Sequence, residues 1–93
     1  MRINIKPSFE RIYKKLPCLE KAQIDEKIRE LFNYYNKDML FVDLRIRKLS
    51  GKTNYFEINT ASNRRILLRK QNDLIELIAY GNHDDIKKFL KQM

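Results

Sequence analysis

The spacing of apolar residues changes near residue 38, and this change constrains the fold more than any other feature. Over 24–35, apolar residues recur every three or four positions, as on one face of an α-helix. Over 54–80, apolar and polar residues instead alternate, in three runs separated by turn residues. Helical and extended periods in separate blocks indicate an α+β protein with helices packed on a sheet. Its 93 residues provide for one domain, spanning 1–93.

The pattern predicts the element order β-α-α-β-β-β-α. The N-terminal strand and a helical hairpin pack on one face of a mostly antiparallel sheet, and a short helix ends the domain. The segment 40–48 also alternates, and it is either partly extended or irregular. The predicted elements are a strand over 1–6, a helix over 8–16, a longer helix after Pro17 that includes 24–35, strands over 54–59, 64–70 and 74–80, and a helix with Asp84 and Asp85 in its first turn.

Strict alternation sorts the residues of the three-strand meander onto two faces. One face is apolar and should receive the helical hairpin; its residues are Phe56, Ile58, Ile66, Leu68, Ile75, Leu77 and Ala79. The other face mixes charged, aromatic and aliphatic residues and is predicted to be open; its residues are Tyr55, Glu57, Asn59, Arg65, Leu67, Arg69, Leu74, Glu76, Ile78 and Tyr80.

Composition excludes several classes of protein. Cys18 is the single cysteine and His83 the single histidine, so neither a disulfide framework nor a closed zinc site is expected. The start of the chain has no apolar stretch typical of a signal peptide, and no apolar run of 18 residues occurs in the sequence, so secretion and membrane spanning are not expected. We therefore expect a cytoplasmic protein that needs no metal or other cofactor and does not act at a membrane.

Positive charge is concentrated in one segment of the chain. The formal net charge is +8, yet residues 7–38 carry only +1, whereas residues 44–71 carry +7. This distribution favours an anionic partner, and nucleic acid is the first candidate. The cations that would contact it, beside those of the open face, are Arg45, Arg47, Lys48, Lys52 and Arg64.

Arg65 and Arg69 on the open face have two interpretations. They could form cross-strand ion pairs with Glu57 and Glu76, which flank their strand. Alternatively, they could bind successive phosphates of a nucleic acid, since guanidinium groups suit phosphate recognition. In the second interpretation, Tyr55 and Tyr80 provide surfaces on which bases stack.

The order of motifs over nearly the whole chain resembles the RelE/ParE superfamily of toxins from type II toxin–antitoxin systems. The resemblance rests on the hairpin start, the turn Lys48-Leu49-Ser50-Gly51, and three stretches. These are Tyr55-Phe56-Glu57-Ile58, Arg65-Ile66-Leu67-Leu68-Arg69 and the run from Leu74 to His83.

The resemblance implies a ribosome-dependent endoribonuclease that cleaves mRNA and so inhibits translation, with a cognate antitoxin as its protein partner. In such enzymes the RNA 2′-hydroxyl attacks the adjacent phosphate. By resemblance, Arg65 would bind the scissile phosphate, Lys48 lies near a turn position that is often basic, and Tyr80 and His83 would serve acid–base or stacking roles. Arg69 completes the candidate catalytic set. Some relatives differ in activity, so a ParE-like inhibitor of DNA gyrase and a non-catalytic RNA- or protein-binding module are the alternatives.

Overall fold

The computed structural model describes residues 2–35, 46–48, 54–60 and 63–92, and it confirms the predicted α+β class. Its strands form one sheet in the order β1-β5-β4-β3-β2, antiparallel except for the parallel pair of β1 and β5. The elements are β1 (Arg2–Ile5), α1 (Pro7–Lys14), α2 (Cys18–Tyr35), β2 (Ile46–Lys48), β3 (Tyr55–Asn59), β4 (Arg65–Gln71), β5 (Leu74–Gly81) and α3 (His83–Lys91).

The segment 40–48 is extended at its end, where β2 pairs with β3 through Ile46, Arg47 and Lys48. The rest of that segment lies outside the described residues. At the β4–β5 hairpin, a two-residue loop separates the paired residues Gln71 and Leu74. Asn72 adopts φ 56° in this loop, a left-handed conformation that asparagine tolerates better than most residues.

The helical hairpin packs on the predicted apolar face of the sheet. Prolines bracket α1: Pro7 stands at its first turn and Pro17 follows its end. The hydroxyl of Tyr13 donates to Asp25 Oδ1 at 2.8 Å and joins the two helices. The buried core between hairpin and sheet consists of Phe9, Ile24, Leu31, Ile58, Ile66, Leu68, Ile75, Leu77 and Tyr80.

A β-bulge changes the facing of the last residues of β5. Leu68 pairs with Leu77 and Leu67 pairs with Ala79, so Ile78 is an extra residue between two paired positions. The faces predicted for Ala79 and Tyr80 are therefore wrong, because strict alternation cannot pass through a bulge. Ala79 packs with Leu67, and Tyr80 lies in the core beneath the hairpin.

The face opposite the hairpin is not open along its whole length. Helix α3 lies on it, and Ile86 packs against Leu67, Ile78 and Ala79, which are all buried. The prediction that Leu67 and Ile78 line an open surface is therefore wrong. The sequence pattern predicts α3 as an amphipathic helix but does not indicate the face of the sheet on which it packs.

The start of α3 is fixed by a capping box. Asn82 Oδ1 accepts from the backbone N–H of Asp85 at 2.8 Å, and Asp85 Oδ2 accepts from the backbone N–H of Asn82 at 3.0 Å. A Cβ atom on Gly81 would lie 2.6 Å from Asp85 Cβ, so only glycine fits beside this cap. The predicted placement of Asp84 and Asp85 in the first turn of this helix is confirmed, and Asp85 takes part in its cap.

Candidate active site

Arg65 joins a glutamate and a histidine on the sheet face that carries α3. Its Nη1 atom lies 2.8 Å from Glu57 Oε1 and 2.9 Å from His83 Nδ1. The Arg65 side chain is 20% exposed, whereas that of Glu57 is only 5% exposed. Glu57 thus contacts the guanidinium on its buried side, while part of the Arg65 side chain and the exposed His83 face solvent.

The contact between Arg65 and His83 fixes the tautomer of the imidazole. A guanidinium can only donate hydrogen bonds, so Nδ1 of His83 must be the acceptor. A neutral ring in this contact carries its hydrogen on Nε2, and a ring protonated on both nitrogens cannot make the contact. While this contact lasts, the lone pair of His83 Nδ1 is engaged by Arg65.

Three elements bring this cluster together. Arg65 is the first residue of β4 and pairs with Gly81 at the end of β5. His83 follows two residues later as the first residue of α3, so the capping box of Asn82 and Asp85 also positions the imidazole. Glu57 comes from the neighbouring strand β3, where it pairs with Leu67, two positions along β4 from Arg65.

Arg69 forms a second cluster with Glu76 and Lys6. Arg69 Nε donates to Glu76 Oε1 at 2.8 Å, its Nη2 contacts the same oxygen, and Lys6 Nζ lies 2.9 Å from Glu76 Oε2. Hydrogen bonds from Lys6 and then from Arg69 lower the pKa of Glu76, although its burial opposes this effect. The bond to Glu76 in turn raises the pKa of Arg69.

The two arginines are each paired with a glutamate, as the ion-pair interpretation predicts. Arg69 and Glu76 are direct cross-strand neighbours, whereas Glu57 lies diagonally across from Arg65. Between the two arginines lies Leu67, which Ile86 of α3 covers. Arg65 and Arg69 therefore belong to separate clusters rather than to one continuous phosphate-binding surface.

Tyr80, predicted beside Arg65, belongs to a polar cluster on the opposite face. Its hydroxyl donates to Glu20 Oε1 at 2.9 Å, and Arg64 Nε lies 3.7 Å from the same oxygen. Burial, followed by the bond to Glu20, raises the pKa of Tyr80. The structure does not bring Tyr80 or Arg64 to the Arg65–His83 pair, because alternate positions on a strand face opposite ways.

The structure describes the positions of some of the other residues predicted to contact RNA. Tyr55 is half-buried and packs against the cluster that contains Leu67 and Ile86. For Arg47 and Lys48 only the position in β2 is described. Arg45 and Lys52 lie outside the described residues.

Sequence reasoning missed Lys6 and Glu20 as partners of the candidate residues. Lys6 reaches Glu76 because β1 runs parallel to β5 at the sheet edge, and Glu20 reaches Tyr80 because of the bulge. No local motif marks either residue. A prediction that the first and last strands pair in parallel would have identified Lys6. That pairing places Ile5, the end of β1, beside Leu77, so that Lys6 follows close to Glu76.

Two kinds of feature are absent from the described ranges. No helix there combines the length and apolar content needed to cross a bilayer. Within those same ranges, no three His, Cys, Asp or Glu side chains converge as ligands of a metal ion would.

Several solved structures of toxins share this fold. A chain of the RelB–RelE antitoxin–toxin complex of Methanococcus jannaschii matches with a TM-score of 0.72 and 23% identity, covering 92% of this chain and 96% of that one. A copper-bound mutant toxin from Helicobacter pylori matches with a TM-score of 0.69 and 22% identity, over 92% and 98% of the two chains. A chain of the Escherichia coli RelBE toxin–antitoxin complex gives 0.64 and 16%, over 86% and 93%.

No family model matches the chain, and no curated protein matches its sequence. The similarity therefore lies in the fold, and the identities of 23% or less identify nothing beyond it. The chain has the fold of the RelE-type toxins, as its motif order predicts.

Proposed function

We propose that this chain is the toxin of a type II toxin–antitoxin system and cleaves mRNA on the ribosome in the cytoplasm. The observation that carries the proposal is the contact of Arg65 with both Glu57 and His83, at 2.8 and 2.9 Å, on a partly exposed sheet face. It places a fixed cation beside a side chain that can transfer protons. RNA cleavage by an internal hydroxyl needs both groups.

The proposed reaction breaks one phosphodiester bond. The 2′-oxygen loses its proton and attacks the adjacent phosphorus, the bond from phosphorus to the 5′-oxygen breaks, and the 5′-oxygen takes up a proton. The products are a 2′,3′-cyclic phosphate and a 5′-hydroxyl end. Arg65 would stabilise the negative charge on the phosphate oxygens, which increases in the transition state.

Substrate binding and proton transfer are coupled in this geometry. Arg65 donates to His83 Nδ1, so a phosphate that takes over the guanidinium frees that nitrogen. The freed imidazole can then accept or donate a proton at the reacting oxygens. Glu57 is a positioning residue in this proposal, since it holds Arg65 and is itself buried.

A cognate antitoxin is the proposed protein partner. Two of the similar structures are antitoxin–toxin complexes, one from Methanococcus jannaschii and one from Escherichia coli. The net charge of +8 favours an antitoxin with an acidic segment. We expect this segment to cover the face that carries Arg65 and Arg69 or to displace α3.

Primer extension on mRNA after induction of the chain tests the proposal. Cleavage within translated reading frames is expected, and it should require active translation. Intact transcripts together with an SOS response would overturn the proposal in favour of DNA gyrase as the target. Intact transcripts with neither growth arrest nor SOS response would indicate a binding module without catalytic activity.

A further inference from the structure

A groove runs between α1 and α3 and continues to the Arg69 cluster. It consists of two recesses of about 360 and about 480 Å³, and both are lined by Ser8 and Phe89. The first recess contains Lys6 and Arg69, and the second contains Arg11 and Lys15. Because the two recesses share lining residues, they form one continuous surface, here termed the α1–α3 groove.

The charge of the α1–α3 groove is strongly positive. Its four cations are Lys6, Arg11, Lys15 and Arg69, and Glu76, which pairs with Lys6 and Arg69, is their one acidic contact among the described residues. Arg11 and Lys15 are exposed and form no ion pair with any residue that the structure describes. Unlike Lys14, which pairs with Glu10 at 3.2 Å, they remain available to an external anion.

The groove has the shape and lining that suit a nucleic acid strand. Arg11 lies in the last turn of α1 and Lys15 is the C-cap four positions later, which separates them by about 6 Å along the helix axis. Apolar and aromatic side chains lie between the cations and offer surfaces on which bases and riboses can pack; they are Ile12, Leu16, Tyr55 and Phe89. A row of cations beside such surfaces suits a chain of phosphates better than a single small anion.

The position of the groove relative to the candidate active site identifies the segment of nucleic acid. Arg65 and Arg69 lie on the same face of β4, about 13 Å apart along the strand, and Ile86 of α3 covers Leu67 between them. An RNA strand held at Arg65 therefore crosses the outer side of α3 before it reaches Arg69 and enters the groove. An acidic peptide would satisfy the cations equally well, but it has no bases to stack on Tyr55 or Phe89.

We infer that the α1–α3 groove binds the segment of single-stranded RNA that leads away from the Arg65–His83 site. This inference rests on the proposed function. It adds a second binding site whose cations Arg11 and Lys15 are not among the RNA-contacting residues predicted from the sequence. These two side chains would contact phosphates that lie far from the bond to be cleaved.

Equilibrium binding of RNA of two lengths tests the inference. The double variant Arg11→Gln/Lys15→Gln is compared with the wild type and with Lys14→Gln/Lys27→Gln, which removes the same charge from lysines that pair with Glu10 and Glu30. The probes are fluorescently labelled 2′-O-methyl RNAs of about 4 and about 16 nucleotides, which span the usual range of single-strand site sizes and lack the attacking hydroxyl.

The first variant should bind the longer RNA roughly tenfold more weakly than the wild type, and the shorter RNA equally well. Its plot of log affinity against log salt should be less steep by about 1.4, since two phosphate contacts are lost. The control variant should differ little from the wild type with either RNA. Arg11, Lys14 and Lys15 are exposed and Lys27 is half-buried, so thermal melting of each variant checks that it is folded before affinities are compared.

Three outcomes would overturn the inference. If the first variant and the wild type bind the longer RNA equally, the groove is not an RNA site, while cleavage in the primer-extension experiment would still support the proposed function. If the variant loses affinity only for a polyglutamate peptide, the groove binds an acidic protein. If the wild type binds neither RNA and cleaves no mRNA, the proposed function fails, and the inference fails with it.

Discussion

Tyr80 and Arg65 lie at the same end of the sheet but on opposite faces of it. Tyr80 pairs with Ile66, and its hydroxyl donates to Glu20 at 2.9 Å beneath the helical hairpin. Arg65, one position earlier on β4, contacts His83 at 2.9 Å on the face that carries α3. The sheet thus separates the tyrosine from the groups proposed to act on RNA.

Substitution of Tyr80 by phenylalanine should leave RNA cleavage unchanged and reduce stability. The variant keeps the buried ring but loses the hydrogen bond to Glu20, which contributes about 1 kcal/mol to the free energy of unfolding. Denaturant unfolding and single-turnover cleavage measure the two effects. A cleavage rate that falls by tenfold or more in a fully folded variant would show that Tyr80 takes part in the reaction despite its position.

Substitution of Arg65 by lysine should abolish growth arrest while the protein remains folded. Lysine keeps a positive charge beside the buried Glu57, but it cannot contact Glu57 and a phosphate in the planar geometry of a guanidinium. Lysine is preferred to alanine here because alanine would leave the Glu57 carboxylate buried without Arg65, which destabilises the fold. Colony counts after induction, with protein levels measured by immunoblot, provide the test.

Arg64→Lys is the matched control for that substitution. Arg64 also lies beside a glutamate, Glu20, but on the face of the sheet opposite His83. We expect growth arrest to persist in this variant. Arrest by Arg65→Lys at the wild-type level would contradict the role of Arg65 in phosphate binding.

The fold class could be predicted from sequence because hydrophobic periodicity reports burial directly. Phe9, Ile24 and Leu31 on the helices and Ile58 and Ile66 on the strands all lie in the predicted core. The bulge at Ile78 could not be predicted, since its residues are all apolar and fit either register. A shift of one residue then reversed the facing of Ala79 and Tyr80.

The candidate site was predictable only in part, for a related reason. Alternation correctly places Arg65 and Glu57 on one face of neighbouring strands, where they pair. The contact of His83 with Arg65 depends on where α3 begins and on which face it lies, and this placement is a matter of tertiary packing. The isolation of Arg65 from Arg69 has the same origin, because Ile86 covers Leu67 between them.

Substitution of His83 by glutamine should slow cleavage about 100-fold or more while RNA affinity changes little. A glutamine side-chain oxygen can still accept a hydrogen bond from Arg65, but an amide cannot transfer a proton near neutral pH. Single-turnover rates and equilibrium binding to 2′-O-methyl RNA separate chemistry from affinity. An unchanged single-turnover rate would exclude His83 as the acid or base. Weaker RNA binding with an unchanged maximal rate would mean that His83 contacts the substrate but transfers no proton.

Substitution of Glu76 by glutamine should reduce stability at neutral pH and flatten its dependence on pH in the acid range. Glu76 is buried, and hydrogen bonds from Lys6 and Arg69 lower its pKa. The pKa of Glu76 is therefore lower in the folded chain than in the unfolded chain. Such a carboxylate stabilises the fold above the unfolded-state pKa of about 4.3, and this contribution is lost as the pH falls through the folded-state value. Loss of the charge-assisted bonds should cost about 2 kcal/mol at pH 7.

Urea unfolding between pH 7 and pH 3 measures this contribution. The stabilities of the wild type and of Glu76→Gln should converge as the pH falls, because the protonated glutamate resembles the glutamine. Glu10→Gln is the control: Glu10 forms an exposed pair with Lys14, and its loss should cost no more than about 0.5 kcal/mol at any pH. Parallel curves for the wild type and Glu76→Gln would mean that the Lys6–Glu76–Arg69 cluster does not hold the carboxylate in its charged form.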